Sequence, residues 1–279
     1  MRSGFVTLVG RPNVGKSSLV NAIRGQKVSI VSDKPQTTRH RVMGVLTTAD
    51  AQLVFVDTPG LHKPVTALGE RVNATALESL SDVDVACLVI DATQPFGRGD
   101  EWVARHLDIA SAIVVVNKID AVGPDKVAAQ LVAASTLGAA EYFPVSAKTG
   151  KGVNELVAHL TSRLPEGPMY FPADTVSDQP EEQWVAELVR EQLLAVTRDE
   201  LPYSIATRVT EWEWPRIRVE IIVERDSQKG MVIGKGGAVL KEVGQRARAQ
   251  LPEGAFLELF VKVDKDWQRR PDRVERLGY

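Results

Sequence analysis

Cysteine is nearly absent from this sequence of 279 residues, which contains only Cys87. One thiol cannot form a disulfide within the chain, and its place in the apolar run 85–90 indicates a small buried hydrophobic residue. Long hydrophobic runs are absent too, since none approaches the ~20 residues that a membrane-spanning helix needs. The formal net charge is only −2. The sequence therefore excludes a protein that is basic overall, and any surface for nucleic acid must be local.

The beginning of the sequence also lacks the pattern of a secretory signal peptide. An apolar run starts at residue 5, which leaves no room for the regions of a secretory signal peptide. We therefore expect the protein to work in the cytoplasm, with a peripheral contact to the inner face of the cell membrane left open. The hydrophobic fraction of 44% and the charged fraction of 25% are typical of a globular protein, and the length fits one or two domains.

A glycine-rich stretch, GRPNVGKSS at residues 10–18, lies between an apolar run at 5–9 and residues with helical spacing. Its pattern G-x-x-x-x-G-K-[ST], between a strand and a helix, is typical of a phosphate site, although a turn without a ligand is the alternative. Glycines let backbone N–H groups face phosphate oxygens, and the helix adds its positive dipole end. Lys16 is predicted to reach the β- and γ-phosphates. Nucleotide contacts are predicted from Gly10, Asn13, Val14, Gly15, Lys16, Ser17 and Ser18.

Three residues on separate segments are predicted to hold Mg²⁺. Ser17 offers a hydroxyl at the end of the glycine loop, and Asp57 begins the tetrapeptide DTPG after an apolar run. Thr38 lies in the polar stretch 26–41, which is long enough to be a functional loop, although an ordinary exposed threonine is the alternative. Gly60 closes the tetrapeptide and is predicted to offer its N–H to a γ-phosphate.

The tetrapeptide NKID at residues 117–120 follows an apolar run at 112–116 and predicts the choice of base. The Asp120 carboxylate can accept hydrogen bonds from guanine N1–H and from the exocyclic amine, and adenine offers neither donor at those positions. Because a buried carboxylate left unpaired there would cost free energy, the discrimination between bases can be large. Asn117 and Lys118 are expected to brace the base and the loop.

The tripeptide SAK at residues 146–148 completes the predicted base site after a short apolar run at 142–145. The N–H of Ala147 is expected to bond guanine O6, Lys148 to lie against the base, and Ser146 to contact the nucleotide beside them. All these motifs follow predicted strands, and ligands bind at the carboxyl ends of strands in parallel α/β sheets.

The order of predicted elements divides the chain into parts. Alternating strands and helices over residues 1–164 predict an α/β P-loop GTPase domain with a doubly wound, mostly parallel sheet. Residues 165–180 hold four of the fifteen prolines and are predicted to be a linker, before a smaller α+β domain over 181–279. The elements expected there are a helix over 181–199, strands over 203–214, 216–224 and 255–263, two helical segments within 227–251, and a polar tail over 264–279.

The loop GKGG at residues 234–237 gives the second domain its predicted function. A G-x-x-G loop between two helices lets a nucleic-acid backbone come close, and the element order fits a KH module of the second topological type. A simple helix-joining turn is the alternative. Charge is also concentrated here, with six basic residues against two acidic ones over 225–248. RNA contacts are predicted from Ile233, Gly234, Lys235, Gly236, Gly237 and Lys241.

Taken in order, these motifs resemble those of the Era-like family. Its members are translation-factor-related P-loop GTPases of bacteria with a C-terminal KH domain. The resemblance covers essentially the whole chain. It implies GTP hydrolysis with Mg²⁺, GTP and GDP as bound nucleotides, and a role in assembly of the small (30S) ribosomal subunit. It also implies that the KH domain binds near the 3′ end of small-subunit ribosomal RNA. The motifs are GRPNVGKS at 10–17, QTTRH at 36–40, DTPG at 57–60, NKID at 117–120, VSAK at 145–148, MVIGKGG at 231–237 and the terminal LGY.

One position departs from better-known GTPases. Leu61 follows DTPG where many regulatory GTPases carry a glutamine that orients water, so we expect slow intrinsic hydrolysis, at about 10⁻⁴ s⁻¹ or somewhat above. Asn13 resembles the asparagine with which related GTPases hold K⁺, and a purely structural role in the loop is an equal alternative. His62 is expected to be a solvated loop histidine rather than a base. The residues predicted to act in catalysis are Lys16, Thr38, Gly60 and Asn13.

The sequence leaves two functions open. The first is a GTP-switched RNA-binding assembly factor that works as a monomer on the small ribosomal subunit. The second is an NTPase whose C-terminal domain binds protein or membrane. Crosslinking to RNA, compared between the native chain and a variant of the GKGG loop, distinguishes the two.

Overall fold

A computed structural model describes residues 1–81, 83–197 and 201–279. Their contacts divide them into two compact units, which we describe separately. The domain limits expected from the sequence stay a prediction. Asp199, the expected end of the first helix of the second domain, lies outside the described residues. The first unit comprises Met1–Val31, Gln36–Lys63 and Val72–Asp178, and the second comprises Ser32–Pro35, Pro64–Arg71 and Gln179–Tyr279.

Up to Asp178, the described residues form six strands and five helices. The strands are β1 (Arg2–Val9), β2 (Val42–Thr47), β3 (Ala51–Asp57), β4 (Val85–Asp91), β5 (Ile113–Asn117) and β6 (Glu141–Pro144). The helices are α1 (Lys16–Arg24), α2 (Ala67–Glu78), α3 (Arg98–Ala104), α4 (Pro124–Ser135) and α5 (Val153–Arg163). The sheet order is β2-β3-β1-β4-β5-β6, and each pairing is parallel except that of β2 with β3. The predicted mostly parallel α/β fold is confirmed.

The apolar run of β4 shows why the centre of the sheet is buried on both faces. Successive side chains of a strand point to opposite faces, so Cys87 and Val89 join a core cluster with residues of α1 and α5. Leu88 and Ile90 join a second cluster with residues of α3 and α4. Burial raises the pKa of the Cys87 thiol to about 12, so the thiol stays protonated. The expectation of a small buried hydrophobic residue at this position is confirmed.

The segment that follows α5 runs along an edge of this sheet. Ser177 forms an antiparallel bridge with Gly44 of β2, and the N–H of Val45 donates to the carbonyl oxygen of Val176 at 3.0 Å. Nε2 of Gln52 on β3 donates to the carbonyl oxygen of Phe171, which lies earlier in the same segment, at 2.9 Å. These contacts cover the outer side of β2 with part of the proline-containing segment.

Beyond Gln179, the described residues form an α+β unit around a three-stranded sheet. Its strands are β7 (Ala206–Glu213), β8 (Arg216–Val223) and β9 (Phe256–Val263). Its helices are α6 (Glu181–Val196), α7 (Leu201–Ser204), α8 (Asp226–Ile233), α9 (Ala238–Arg248) and α10 (Pro271–Arg276). The central strand β8 is antiparallel to β7 and parallel to β9. The order of helices and strands predicted for the second domain is confirmed, with α7 and α10 as additions.

Two local expectations are wrong, and one helix was missed. A strand does not begin at Tyr203, which lies in α7, because a four-residue helix is too short to show a hydrophobic period. Residues 264–279 are not a simple polar tail, since Trp267 is fully buried and its Nε1 donates to the carbonyl oxygen of Ser204 at 3.0 Å. Helix α3 was not predicted.

Among the residues described, no helix has the length and apolar character needed to cross a membrane.

Candidate nucleotide site and RNA-binding loop

The loop at residues 10–18 lies between β1 and α1 as predicted. Two of its positions must be glycine because neighbouring segments come very close to the loop backbone. Gly15 has a φ of 94°, and a Cβ there would lie 2.4 Å from Nδ2 of Asn117. A Cβ on Gly10 would lie 2.4 Å from the carbonyl oxygen of Val89 on β4. A side chain at either position would therefore push the loop away from the neighbouring strand ends.

Lys16 begins α1 and turns back across this loop. Its Nζ donates to the carbonyl oxygens of Gly10 at 3.2 Å and Arg11 at 3.1 Å. Burial lowers the pKa of Lys16 from 10.5 to about 8, and the charge of Asp57 acts in the opposite direction. The ammonium group is thus held within the curve of the loop, where a phosphate-binding lysine has to lie.

The three residues predicted to hold Mg²⁺ lie together. The hydroxyl oxygens of Ser17 and Thr38 are 2.8 Å apart. Asp57 ends β3 fully buried, and burial raises its pKa against the opposing effects of the Ser17 and Ser29 hydroxyls and of Lys16. Within the described residues neither Asp57 oxygen accepts a hydrogen bond of ordinary geometry. Two hydroxyls beside a buried carboxylate that needs partners form a donor set that suits Mg²⁺.

The DTPG segment packs directly on the glycine loop. A Cβ on Gly60 would lie 2.7 Å from Cα of Pro12, so no larger residue fits there without movement of the loop. The next residue, Leu61, donates its N–H to the carbonyl oxygen of Gly10 at 3.2 Å. The Leu61 side chain is buried in the second core cluster and therefore cannot orient water.

His62 is not a solvated loop residue, and that expectation is wrong. The residue is half-buried, and both ring nitrogens have partners. Nδ1 donates to the carbonyl oxygen of Gly60 at 3.1 Å, and Nε2 accepts from Nε2 of Gln36 at 2.8 Å. Since Gln36 belongs to the 26–41 stretch, His62 joins the segment that carries Gly60 to the one that carries Thr38. No local signal indicates this contact, because the two residues are 26 positions apart.

Asn117 connects the glycine loop to the tripeptide at 146–148. Its side chain is only 1% exposed. Nδ2 donates to the carbonyl oxygen of Val14 at 3.0 Å, and Oδ1 accepts from the N–H of Ala147 at 3.0 Å. This agrees with the expected bracing role. The N–H of Ala147 is engaged by Asn117, and its expected bond to guanine O6 stays a prediction.

Asp120 and Ser146 form the other half of the predicted base site. The hydroxyl of the fully buried Ser146 donates to Oδ1 of Asp120 at 2.6 Å and accepts from the N–H of Thr149 at 3.0 Å. The Asp120 residue itself is exposed, as is Lys148. Ser146 thus orients one carboxylate oxygen of Asp120 from within the protein, and the carboxylate keeps an accessible side.

Two ion pairs at this site were not predicted. Nε of Arg11, in the glycine loop, lies 2.8 Å from Oδ1 of Asp100, which is 1% exposed at the start of α3. Nζ of Lys118 lies 2.6 Å from Oδ2 of Asp91 at the end of β4. Asp91 had a usable signal, because it ends an apolar strand as Asp57 does. Asp100 had none, since α3 itself was not predicted.

The GKGG loop exposes its backbone. Gly234, Gly236 and Gly237 all have positive φ values, of 72°, 61° and 79°, which favour glycine. A Cβ on Gly236 or Gly237 would meet nothing within 4 Å, so that side of the loop is open. A Cβ on Gly234 would lie 2.5 Å from Cγ2 of Val239. One glycine therefore permits close packing, and two leave room for a polymer backbone to approach.

The side chains predicted to contact RNA surround this loop. Lys235 is exposed within the loop, and Lys241 is exposed in the first turn of α9. Ile233 is half-buried at the end of α8. Further along α9, Arg246 pairs with Glu242 at 2.5 Å. The structure therefore brings positive charge and partly exposed apolar surface to an open glycine backbone.

The fold and both sites define a P-loop GTPase with a C-terminal KH domain. A family model described as a 50S ribosome-binding GTPase matches residues 5–118, and a KH domain model matches residues 200–268. GTPase Era of Mycobacterium tuberculosis strain H37Rv is 48% identical, over 99% of this chain and 98% of that protein. GTPase Era of Heliobacterium modesticaldum is 45% identical, over 100% and 97%. The chain belongs to the GTPase Era family and is a GTPase.

Two solved structures of Era are similar along the entire chain. One is a complex with MgGDPNP and nucleotides 1506–1542 of 16S ribosomal RNA, with a TM-score of 0.96 and 40% identity. The other is an Aquifex aeolicus Era variant bound to GDP and AlF4⁻, with a TM-score of 0.95 and 40% identity. Each match covers 100% of this chain and 99% of the solved one.

Proposed function

We propose that this GTPase assists assembly of the small (30S) ribosomal subunit by binding near the 3′ end of 16S ribosomal RNA. The observation that carries the proposal is the match, over both units, to the Era complex with nucleotides 1506–1542 of that RNA. The family model of the first unit names the 50S subunit. Because 16S RNA belongs to the small subunit, and because the RNA complex matches the whole chain, we favour the small subunit.

The first unit holds GTP in this proposal, with its phosphates in the 10–18 loop and against Lys16. Ser17, Thr38 and Asp57 would hold Mg²⁺, which when bound neutralises charge on the phosphates. The buried oxygens of Asp57 support this assignment, since no hydrogen bond of ordinary geometry satisfies them within the part of the chain that the structure describes. The variant Ser17→Ala should weaken binding of GDP with Mg²⁺ more than binding in its absence.

The guanine base lies against Asp120, Asn117 and Lys148. Ser146 supports this assignment because its hydroxyl fixes one oxygen of the Asp120 carboxylate. Adenine would cover that otherwise exposed carboxylate without supplying the two donors of guanine, and an acceptor that loses water without gaining a partner costs about 1–3 kcal/mol. The test is competition of ATP against bound GTP. Affinities for ATP and GTP within a few-fold of each other would contradict the assignment.

Hydrolysis at this site is slow without a partner, because Leu61 is turned into the core. Thr38 and the N–H of Gly60 face the γ-phosphate in this proposal, and Lys16 stabilises the charge that develops on it. Asn13 would hold K⁺ in place of an arginine. Hydrolysis should then be faster in KCl than in NaCl, and Asn13→Ala should remove the difference with little loss of GDP affinity. Equal rates in the two salts would refute the role of K⁺ and leave the GTPase assignment intact.

The second unit binds single-stranded RNA through the GKGG loop. The RNA backbone approaches the open side of Gly236 and Gly237, and Lys235 lies against a phosphate. The variant Lys235→Asp should weaken binding of an oligonucleotide of the 16S 3′ sequence and reduce the salt dependence of its affinity. The matched control is Lys265→Asp, which makes the same charge change at an exposed lysine outside the loop.

The GTP-bound protein should bind this RNA more tightly than the GDP-bound protein. By linkage, the RNA must then favour GTP over GDP by the same factor. Fluorescence anisotropy with a GTP analogue and with GDP measures the first ratio, and nucleotide competition with and without RNA measures the second. RNA affinity that is unchanged by Lys235→Asp would refute RNA binding by the loop. Binding to anionic vesicles in its place would favour the alternative of a membrane-binding NTPase.

The protein acts in the cytoplasm as a monomer in this proposal. Peripheral contact with the inner face of the membrane is the alternative, which vesicle flotation decides. Light scattering of the GDP-bound and GTP-analogue-bound protein measures the molar mass. A dimer in either state would refute the monomer.

A further inference from the structure

Asp91 is placed by the sheet beside the residues that brace the base. In the parallel pairing of β4 with β5, Asp91 lies opposite Asn117. Its backbone neighbour Ala92 donates its N–H to the carbonyl oxygen of Asn117 at 2.9 Å. The last residue of β4 therefore reaches the level at which β5 ends and the NKID segment begins.

The Asp91 carboxylate is almost entirely committed to partners within the protein. The residue is 7% exposed. Oδ1 accepts from the N–H of Thr93 at 2.8 Å and from its hydroxyl at 2.7 Å, and Oδ2 accepts from Nζ of Lys118 at 2.6 Å. Thr93 fixes one oxygen, so the other is aimed at Lys118.

Lys118 has a second partner, which lies on the phosphate loop. Its Nζ donates to the carbonyl oxygen of Asn13 at 2.6 Å. Lys118 has a φ of 65°, an uncommon conformation for a residue with a side chain. The ammonium group is therefore held between β4 and the glycine loop, and the alkyl part of the side chain spans the gap between them.

We propose that Asp91 is a positioning residue that locks the Lys118 side chain across the glycine loop and thereby slows release of the guanine nucleotide. The inference rests on the proposed nucleotide site and adds a residue to it. Asp91 contacts no nucleotide in this proposal and acts only through Lys118. A lysine on a flexible four-carbon stem loses its fixed place when its carboxylate is removed.

A double-mutant cycle on the full-length chain tests this proposal. Dissociation of a fluorescent GDP analogue is followed by stopped flow for the native chain, Asp91→Ala, Lys118→Met and the double variant. Each single change should raise the dissociation rate about ten- to a hundredfold, because a hydrogen bond to a charged group is typically that strong. The double variant should dissociate no faster than the faster single variant. Rates that multiply would show independent effects and refute the proposal.

Two further variants keep the test decisive if Asp91→Ala does not fold. Asp91→Asn keeps the size of the side chain and one acceptor but removes the charge. Its rate of GDP dissociation should therefore lie between those of the native chain and Asp91→Ala. If Asp91→Ala does not fold, Asp91→Asn takes its place in the cycle. Asp84→Asn is the matched control, since Asp84 immediately precedes the opposite end of β4 and accepts from the N–H of Phe5. It should leave the rate unchanged. A native rate in Asp91→Asn with no coupling to Lys118→Met would overturn the proposal, whereas weak GDP binding by the native chain would overturn the nucleotide site itself.

Discussion

Removal of the Asn117 side chain tests whether one buried amide holds the nucleotide loops together. Asn117→Ala deletes the donor to Val14 and the acceptor of the Ala147 N–H. Because Asn117 is 1% exposed, water cannot easily replace either partner. A buried polar group left without a partner costs about 1–3 kcal/mol.

The expected loss follows from these two orphaned groups. Together they should lower the free energy of unfolding of the first unit by about 2–6 kcal/mol. For a unit of this size, that loss corresponds to a fall in melting temperature of about 4–24 °C. The space left beside Gly15 adds to the cost, since Nδ2 of Asn117 packs against that glycine.

The assay is urea unfolding of the nucleotide-free chain. The transition of the first unit is the one whose midpoint moves to a higher urea concentration when GDP is added. Asn154→Ala is the control, because Asn154 is an exposed asparagine on α5, and its loss should change stability by less than about 0.5 kcal/mol. Asn117→Asp keeps the acceptor for the Ala147 N–H and removes the donor to Val14. If the bond from Ala147 contributes more stability than the bond to Val14, Asn117→Asp should lose less stability than Asn117→Ala near neutral pH. A change of less than about 0.5 kcal/mol for Asn117→Ala would refute the reasoning.

Three further outcomes are expected. Asp120→Asn replaces an acceptor by a donor and should shift preference from GTP toward xanthosine triphosphate in nucleotide competition. Burial acts to raise the pKa of Asp91, but hydrogen bonds from Lys118 and Thr93 outweigh it and hold the pKa below the usual 3.8. Its stabilisation is therefore present above the usual pKa of 3.8 and is lost as the pH falls below it, so Asp91→Asn should flatten the acid unfolding curve below that pH. Trp267→Ala should destabilise the second unit by about 3–5 kcal/mol in urea unfolding.

The parts of the molecule that were predictable from sequence are those with a local signal. The apolar run of β4, the glycine pattern around Gly15 and the motifs at the strand ends each occupy a few consecutive residues. The topology rule for parallel sheets then places those strand ends at one edge, which is why the sequence alone predicts Ser17 and Asp57 at one site.

The parts that were missed depend on distant partners. Trp267 contacts Ser204 across 63 residues, so nothing around it distinguishes a docked ring from an exposed one. The pairing of Arg11 with Asp100 spans 89 residues and involves a seven-residue helix that is too short for a clear hydrophobic period. Nothing next to His62 in the sequence indicates its partner Gln36, which lies on another loop.

The segment along the outer side of β2 determines how the first unit can be isolated. Val176 accepts the N–H of Val45 at 3.0 Å, and the Asp178 carboxylate accepts the N–H of Met43 at 2.8 Å. A fragment that ends at residue 164 would leave both donors unpaired on a bare edge strand, which is a template for strand addition between molecules. A fragment that ends at residue 178 keeps the edge closed. We therefore expect a fragment that ends at residue 164 to self-associate, and a fragment with the next fourteen residues to stay monodisperse.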